Sequence, residues 1–285
     1  MSASAGRRRA GILIPLFSIP STESWGIGDV GDVEPITSWL ADAGVDVLQL
    51  LPLNEMAPGQ QSPYSAISAM AIDPIFIRVP DVAEFAALGG EGGLSADDRT
   101  TLARVRSAPR VEYRDVRRLK VAALRAAFER FVEAEWRRDS ERARALRSYV
   151  SEQAWWIEDY ALFRALHARE GERPWTEWSL DLQRREPAAI DRARRELADQ
   201  VLFQQYLQWL AGTQWQRARA HTNDRYHLSH HPTKERIDLF SYVRTWTWQS
   251  WKSRRRRAAG EVMSTAKIGA RDFLVMISSS GQDSL

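Results

Sequence analysis

Short apolar runs near the start of the chain enclose a helical pattern and together predict a βαβ unit. Residues 11–17 form a continuous apolar run typical of a buried strand, and residues 46–53 form a second. Between them, apolar residues recur at helical spacing, with Asp32 placed as the N-cap and Gly44 as a left-handed C-terminal residue. Strand, helix and strand in this order predict two parallel strands joined by a right-handed crossover.

A long polar loop follows the second predicted strand and leads into a third predicted extended segment, residues 71–79. The loop is punctuated by Pro and Gly and contains Ser62 and Tyr64. Active sites of α/β barrels lie on loops at the carboxyl ends of the strands, and loops this long are more often functional than idle. The pattern therefore predicts a functional site on this loop.

From Asp115 onward, apolar residues follow a helical period and predict three long helices. The first begins near Asp115, the second runs from about residue 141 to a stop at Gly171, and the third begins at Pro187 and ends near Gly212. Three amphipathic helices in sequence predict a helical subdomain.

These patterns divide the chain into three parts. Residues 1–80 are expected to hold the first βα units and the substrate loop, and residues 81–215 the helical subdomain. Residues 216–285 show no convincing helical or strand period and are interpreted as an atypical tail.

Composition is that of a globular protein and excludes several kinds of site. The chain has 285 residues, of which 44% are hydrophobic, enough for a substantial core. Its 40 basic and 37 acidic residues nearly balance, whereas nucleic-acid binding usually needs a concentrated basic face. The absence of cysteine excludes disulfides, thiolate metal ligands and a Cys nucleophile, and fits a cytoplasmic protein. No apolar run approaches the roughly 20 residues of a membrane span.

Two patterns near the ends of the chain suggest other kinds of site. His227, His230 and His231 cluster, but no carboxylate stands at a matching spacing, so we expect no metal site. Basic residues 7–9 and 254–257, the latter near several tryptophans, are of the kind that bind single-stranded nucleic acid. Runs this short are more typical of solvated tails, and we expect no nucleic-acid partner.

Several short motifs occur in a specific order and spacing. They are GILIPLFS (11–18), SWGIGD (24–29), LADAG (40–44), LLPLN (50–54), SPYSAISA (62–69), DPIFI (73–77), FRAL (163–166), WTEW (175–178), YLQWLA (206–211) and QW (214–215). On these motifs, roughly residues 10–220 resemble the 4-α-glucanotransferases, the amylomaltase or disproportionating-enzyme family of glycoside hydrolases.

The resemblance implies an α/β fold, the α-amylase-like (β/α)8 TIM barrel with helical insertions. It implies transfer of a segment of an α-1,4-glucan to the 4-hydroxyl of an acceptor glucan or glucose. Anomeric configuration is retained in such enzymes, through a carboxylate nucleophile and a carboxyl acid/base. The resemblance implies no metal or organic cofactor, and maltooligosaccharides and amylose as partners.

The family's Ser-Pro-Tyr loop helps to bind the donor glucan, which by resemblance assigns substrate binding to Ser62 and Tyr64. A hydroxyl can bond sugar hydroxyls, and a phenol ring can lie against a pyranose face. The alternative interpretation is an ordinary turn, with Tyr64 filling the top of the barrel.

The family's catalytic carboxylates lie on later strands, and the chain departs from the family pattern after about residue 220. The segments Phe-Gly-Asp-Leu-Pro and Asp-Ser-Ala-Asp-Val-Trp, which the family shows next, are absent. Arg236 and Asp238 are faintly similar to the nucleophile motif, but Leu239 stands where the family has His, so Asp238 is only a weak candidate.

Length supports the same interpretation. A (β/α)8 barrel takes about 250 residues before insertions, and the helical part leaves too few for eight βα units. We therefore expect an incomplete barrel from a truncated or frameshifted member of the family, inactive in this form. The alternative from another functional class is a non-catalytic α-glucan-binding protein.

Overall fold

The structure, a computed structural model, describes residues 10–62 and 64–227, with side chains up to residue 222. The chain begins with a parallel βαβ unit made of strand β1 (Gly11–Ile14), helix α1 (Val33–Asp42) and strand β2 (Val47–Leu50). In the register of the two strands, Ile12 lies opposite Leu48 and Ile14 lies opposite Leu50. The predicted parallel pair is confirmed, although both strands are shorter than predicted.

The prediction that the first strand is buried is wrong. β1 is mostly exposed, with Leu13 57% accessible, whereas β2 alternates and buries Leu48 and Leu50. β1 ends early because the chain turns at Pro15, where the Ser18 N–H donates to the Pro15 carbonyl at 3.0 Å. Among the described residues the sheet has two strands, and Leu13 and Gln49, which pair across it, are both exposed.

Helix α1 begins and ends where the sequence predicted, but its first turn is not capped by the predicted side chain. Gly44 has a φ of 74° and follows the helix, and the Val45 N–H donates to the Leu40 carbonyl at 2.9 Å. Asp32 precedes the helix, yet its side chain does not cap it. It accepts instead from the Asp29 N–H at 2.8 Å, because the helix continues a preceding 3-10 turn.

Two short helices that the sequence pattern missed precede the long one it predicted. Helix α2 spans Ala83–Ala87 and helix α3 spans Ala96–Ser107. Ser95 is an N-cap residue that the sequence could have indicated for α3, since its hydroxyl accepts from the Asp98 N–H at 3.0 Å. Helix α4 (Tyr113–Ala134) confirms the helix predicted near Asp115 and buries the apolar stripe.

The other two predicted helices are each divided. The second is two helices, α5 (Glu141–Glu152) and α6 (Ala154–Arg169), which meet at Gln153, and Gly171 follows with a φ of 68°. A short helix α7 (Leu180–Gln183) comes next. The third predicted helix begins at Pro187 as expected but is also two, α8 (Pro187–Glu196) and α9 (Ala198–His227).

Helix α9 continues through Gly212, so the predicted stop there is wrong. A Cβ atom at Gly212 would lie 3.0 Å from the Tyr149 hydroxyl. Glycine is therefore explained by close packing of α5 against α9 and not by a helix end.

Two apolar clusters hold the helices together. The larger joins the βαβ unit to α4 and α9, where Phe131 and Tyr206 have ring centroids 5.0 Å apart. The smaller lies among α6, α7 and α8. Because the larger cluster draws on residues from both sides of position 80, the two predicted regions are packed together; a domain boundary at that position stays a prediction.

Residues 71–79 do not form the predicted third strand. Ile72 makes one isolated antiparallel bridge to Asn54, and 3-10 turns follow at Pro74–Phe76 and Val79–Asp81. Two glutamines of α9 pair with the backbone of this segment. Gln208 bonds both the N–H and the carbonyl of Ile72, at 3.0 and 2.9 Å, and Gln214 does the same at Arg78, at 2.8 and 2.9 Å.

We expect Gln214→Leu to lower the free energy of unfolding by about 2 kcal/mol, because it leaves the buried Arg78 N–H unpaired. The Arg78 carbonyl loses its bond to Gln214 but keeps the one from the Asp81 N–H at 3.3 Å. Gln216→Leu is the matched control, since Gln216 is exposed on the same helix. It should stay within about 0.5 kcal/mol of the wild type. Urea denaturation measures both, and equal midpoints for the two variants would contradict the pairing.

Candidate functional site

The loop after β2 has a paired stem and an exposed tip. Antiparallel bridges join Met56 to Ala66 and Asn54 to Ile72. These bridges define the stem as residues 54–57 and 65–72, and the tip as residues 58–62 and 64. All described residues of the tip are exposed. The loop therefore presents a short polar tip on a base that is fixed by hydrogen bonds.

The structure brings the two predicted binding residues together at the tip. The Tyr64 N–H donates to the Ser62 hydroxyl oxygen at 3.4 Å, and the Ser65 N–H donates to the Ser62 carbonyl at 3.0 Å. The Tyr64 side chain is 57% exposed among the described residues. These hold two strands, so the alternative interpretation, that Tyr64 fills the top of a complete barrel, stays a prediction. Its ring and hydroxyl are free to meet a ligand from solvent.

A buried polar network beneath the stem was not predicted. Glu55 accepts hydrogen bonds from the Tyr160 hydroxyl and from Arg164 Nε, the latter at 2.9 Å. Gln208 Nε2 donates to the Tyr160 hydroxyl at 3.3 Å as well as to the Ile72 carbonyl. Burial raises the pKa of the Glu55 carboxyl, and the positive charge of Arg164 only partly offsets that rise.

A second carboxylate, Asp73, closes the stem from the other side. It is fully buried and receives a bidentate ion pair from Arg117, with both bonds at 2.8 Å. The same carboxylate accepts from the N–H groups of Met56 and Ile75, each at 3.0 Å. Its acceptor sites are thus occupied by groups that hold the loop.

Charged residues are also buried at the carboxyl end of β1. Lys120 Nζ donates to Asp29 at 3.1 Å and to the carbonyls of Ile75 and Ile77 at 2.8 and 2.9 Å. Arg78 bonds both Asp29 and Asp32. Burial lowers the pKa of Lys120, with the nearby Asp29 charge opposing the effect. The Ser24 hydroxyl also donates to Asp32, at 2.8 Å, so these contacts fix the segment from Ser24 to Asp32.

A cleft of about 580 Å³ opens beside the loop tip. Its walls are the segment after β1 and residues 105–113, and Gln61 of the tip reaches its rim. The lining includes both aromatic and hydroxyl side chains, among them Phe17, Ser18, Ser21 and Tyr113. Phe17 and Tyr113 meet edge to face, with ring centroids 6.2 Å apart. A concave site of this size with a few polar groups is typical of small-molecule binding.

An ion pair supports one wall of the cleft. Glu91 accepts from Arg106 at 2.6 and 2.8 Å and from the Trp25 indole N–H at 2.9 Å. The hydrogen bond from Arg106 lowers the pKa of the Glu91 carboxyl below its ordinary value, against an opposing effect of burial. Trp25 is fully buried, so the pair connects the cleft wall to the core.

The remaining candidates from the sequence fall outside the described residues. These are Asp238, His230, His231 and the basic runs 7–9 and 254–257, while His227 is described only as backbone in α9. Within residues 10–62 and 64–227, no group of three or more His, Asp or Glu side chains is placed to hold a metal ion. Across the same residues, no helix is long and apolar enough to cross a membrane.

The pKa of Glu91 predicts an acid-sensitive contribution to stability. Because the folded pKa lies below the unfolded one, the contribution is present above the unfolded pKa and is lost as pH falls through the folded pKa. Glu91→Gln should therefore lower the melting temperature near pH 7, with the difference from the wild type shrinking towards about pH 3. Glu133→Gln, an exposed position on α4, is the control. A pH-independent difference for Glu91→Gln would contradict the assignment.

Comparison with known proteins gives consistent matches. Residues 14–228 match the family Glyco_hydro_77, described as 4-alpha-glucanotransferase. The chain is 34% identical over 223 residues to a 4-alpha-glucanotransferase from Synechocystis sp. and 34% identical over 209 residues to one from Thermus thermophilus. The alignments cover 77% and 73% of this chain but 41% and 38% of those proteins. The chain thus spans about two fifths of the length of these curated relatives.

Solved structures agree. An amylomaltase from Streptococcus agalactiae, in complex with acarbose, is similar with a TM-score of 0.67 and 25% identity, over 86% of this chain and 46% of that one. An amylomaltase from Corynebacterium glutamicum gives a TM-score of 0.56 and 27% identity, over 76% and 29%. With the family match over residues 14–228, these likenesses show that the chain belongs to the 4-alpha-glucanotransferase family.

Proposed function

We propose that this chain forms the donor-glucan site of a 4-α-glucanotransferase, which transfers a segment of an α-1,4-glucan to the 4-hydroxyl of an acceptor. The observation that carries the proposal is the exposed pair Ser62 and Tyr64 on a loop whose stem is fixed. Membership of the family and the acarbose complex of the S. agalactiae amylomaltase support the choice of ligand.

The chemistry of the surface suits a glucan. A pyranose ring offers an apolar face to an aromatic ring and hydroxyls to polar groups around it. Tyr64 supplies the ring, Ser62 and Gln61 supply polar groups at the tip, and the adjoining cleft adds hydroxyls and two further aromatic rings. In this proposal one glucan chain lies across the tip and enters the cleft.

The carboxylates nearest the loop are not available for catalysis. Glu55 is held by Tyr160 and Arg164, and Asp73 by Arg117, so neither is free to act as nucleophile or as acid/base. We infer that residues 10–227 supply binding groups and the first βα units of an α-amylase-like barrel, without the catalytic pair. Transfer would then require carboxylates from outside these residues.

A second candidate, glucan binding without transfer, is favoured by the same engaged carboxylates. Incubation with maltotriose separates the two, because a transferase releases glucose and longer oligosaccharides, whereas a binding protein leaves maltotriose unchanged. Retention on immobilised amylose without new products would favour the second candidate. Neither retention nor products would contradict both.

Tyr64→Ala should weaken binding of maltohexaose about tenfold, equivalent to about 1.4 kcal/mol, because it removes the exposed ring at the tip. Isothermal titration calorimetry measures the dissociation constant. Trp39→Ala is the matched control, since Trp39 is an aromatic side chain of similar exposure, 61%, on α1. If Tyr64→Ala binds as the wild type does, or both variants lose affinity equally, the tip is not the glucan site.

A further inference from the structure

The hydroxyl of Tyr160 joins both ends of the loop stem to two helices. It donates to the carboxylate of Glu55, at the start of the stem, and accepts from Gln208 of α9. Gln208 in turn holds the backbone of Ile72, at the end of the stem. A single buried oxygen atom on α6 therefore connects, through hydrogen bonds, the two chain segments on either side of the tip.

The three side chains of this network are buried, and each makes hydrogen bonds within the protein. Tyr160 is inaccessible, and Glu55 and Gln208 are nearly so. Because water cannot reach these groups, a polar atom that loses its hydrogen bond stays unpaired, and this is costly. Among the residues that the structure describes, the exposed tip makes only local hydrogen bonds, such as that from the Gln60 N–H to the Ala57 carbonyl at 3.0 Å. The orientation of the tip thus depends on the stem.

We propose that Tyr160, Glu55 and Gln208 are positioning residues for the glucan site, which set the orientation of Ser62 and Tyr64 through the two ends of the stem. None of the three touches the ligand surface. This proposal rests on the proposed function for its ligand. It makes binding depend on two residues far from the loop in sequence: Tyr160 lies 105 positions from Glu55, and Gln208 lies 136 positions from Ile72.

The chain contains a matched pair for the test. Tyr206 is also inaccessible and its hydroxyl donates to a buried carboxylate, that of Glu84, at 3.0 Å. Each carboxylate keeps an arginine when its tyrosine loses the hydroxyl: Arg164 bonds Glu55, and Arg142 bonds Glu84. Glu84 belongs to α2 and not to the loop. Tyr206→Phe therefore removes the same atom from the same kind of bond at another place.

The first measurement is the affinity for maltohexaose of Tyr160→Phe and Tyr206→Phe, with melting temperatures recorded for both. We expect a loss of about tenfold for Tyr160→Phe and none beyond twofold for Tyr206→Phe, because a loosely held site loses affinity even when its contact residues remain. A similar lowering of the two melting temperatures would show that the affinity loss does not follow from lower stability. Equal affinities for the two variants would overturn the proposal.

The second measurement reads the loop without any glucan. Chymotrypsin cuts after Tyr64, and mass spectrometry follows that cut separately from others. Tyr160→Phe should speed this cleavage at least threefold relative to Tyr206→Phe, because cleavage tracks local opening. Equal rates would overturn the positioning role even if binding changed. If the wild type binds no glucan, the proposed function fails; faster cleavage would still establish that Tyr160 positions the loop.

The glutamines give an independent pair. Gln208→Leu should reproduce the faster cleavage after Tyr64, whereas Gln214→Leu, on the same helix but bonded to Arg78, should not. Glu55→Gln keeps an oxygen that can accept from Tyr160 or Arg164, and we expect affinity between those of the wild type and Tyr160→Phe. Affinity for Glu55→Gln below that of Tyr160→Phe would contradict the central place of the hydroxyl.

Discussion

The structure depends on pairing the buried backbone that follows the loop. Residues 72–78 have no strand partner among the described residues beyond the single bridge at Ile72, yet most of this segment is buried. Unpaired N–H and carbonyl groups in such a place are costly. Gln208 and Gln214, six positions apart on α9, meet this requirement with side-chain amides. The path of the chain after the loop, and with it the loop's end, is therefore set by a helix far along the sequence.

Buried ion pairs hold the segment after β1 in a similar way. Asp29, Arg78 and Lys120 connect the segment after β1 to the segment after the loop and to α4. Such ion pairs contribute little net stability, but removing one partner leaves a charge that water cannot reach. These ion pairs and the glutamine contacts lie beyond the carboxyl ends of the two strands. They explain how a two-stranded sheet can carry a defined cleft and an exposed tip.

Local chemistry made part of the fold predictable from the sequence. The parallel βαβ unit, the left-handed Gly44 and the helix near Asp115 depend on residues close to one another in the chain. The failures involve distant partners. Residues 71–79 have the pattern of a strand, but the two glutamines that pair with their backbone lie 136 positions away. Gly212 has the pattern of a helix end, and its contact with Tyr149, 63 positions earlier, could not be predicted from the sequence. At the site, the prediction of Ser62 and Tyr64 came from resemblance, whereas the bond from Tyr160 to Glu55 spans 105 positions and leaves no local pattern.

In the proposed function a fixed stem presents an exposed tip to a glucan, and hydrogen exchange of the wild type with and without maltohexaose measures both properties. We expect slow exchange at Ala57 and Ile67, whose N–H groups are bonded within the stem, and at Asp73, whose N–H donates to the Leu53 carbonyl. We expect fast exchange at the tip, which slows when glucan is added. Stem amides that exchange as fast as the tip, or a tip unaffected by glucan, would contradict the proposed function.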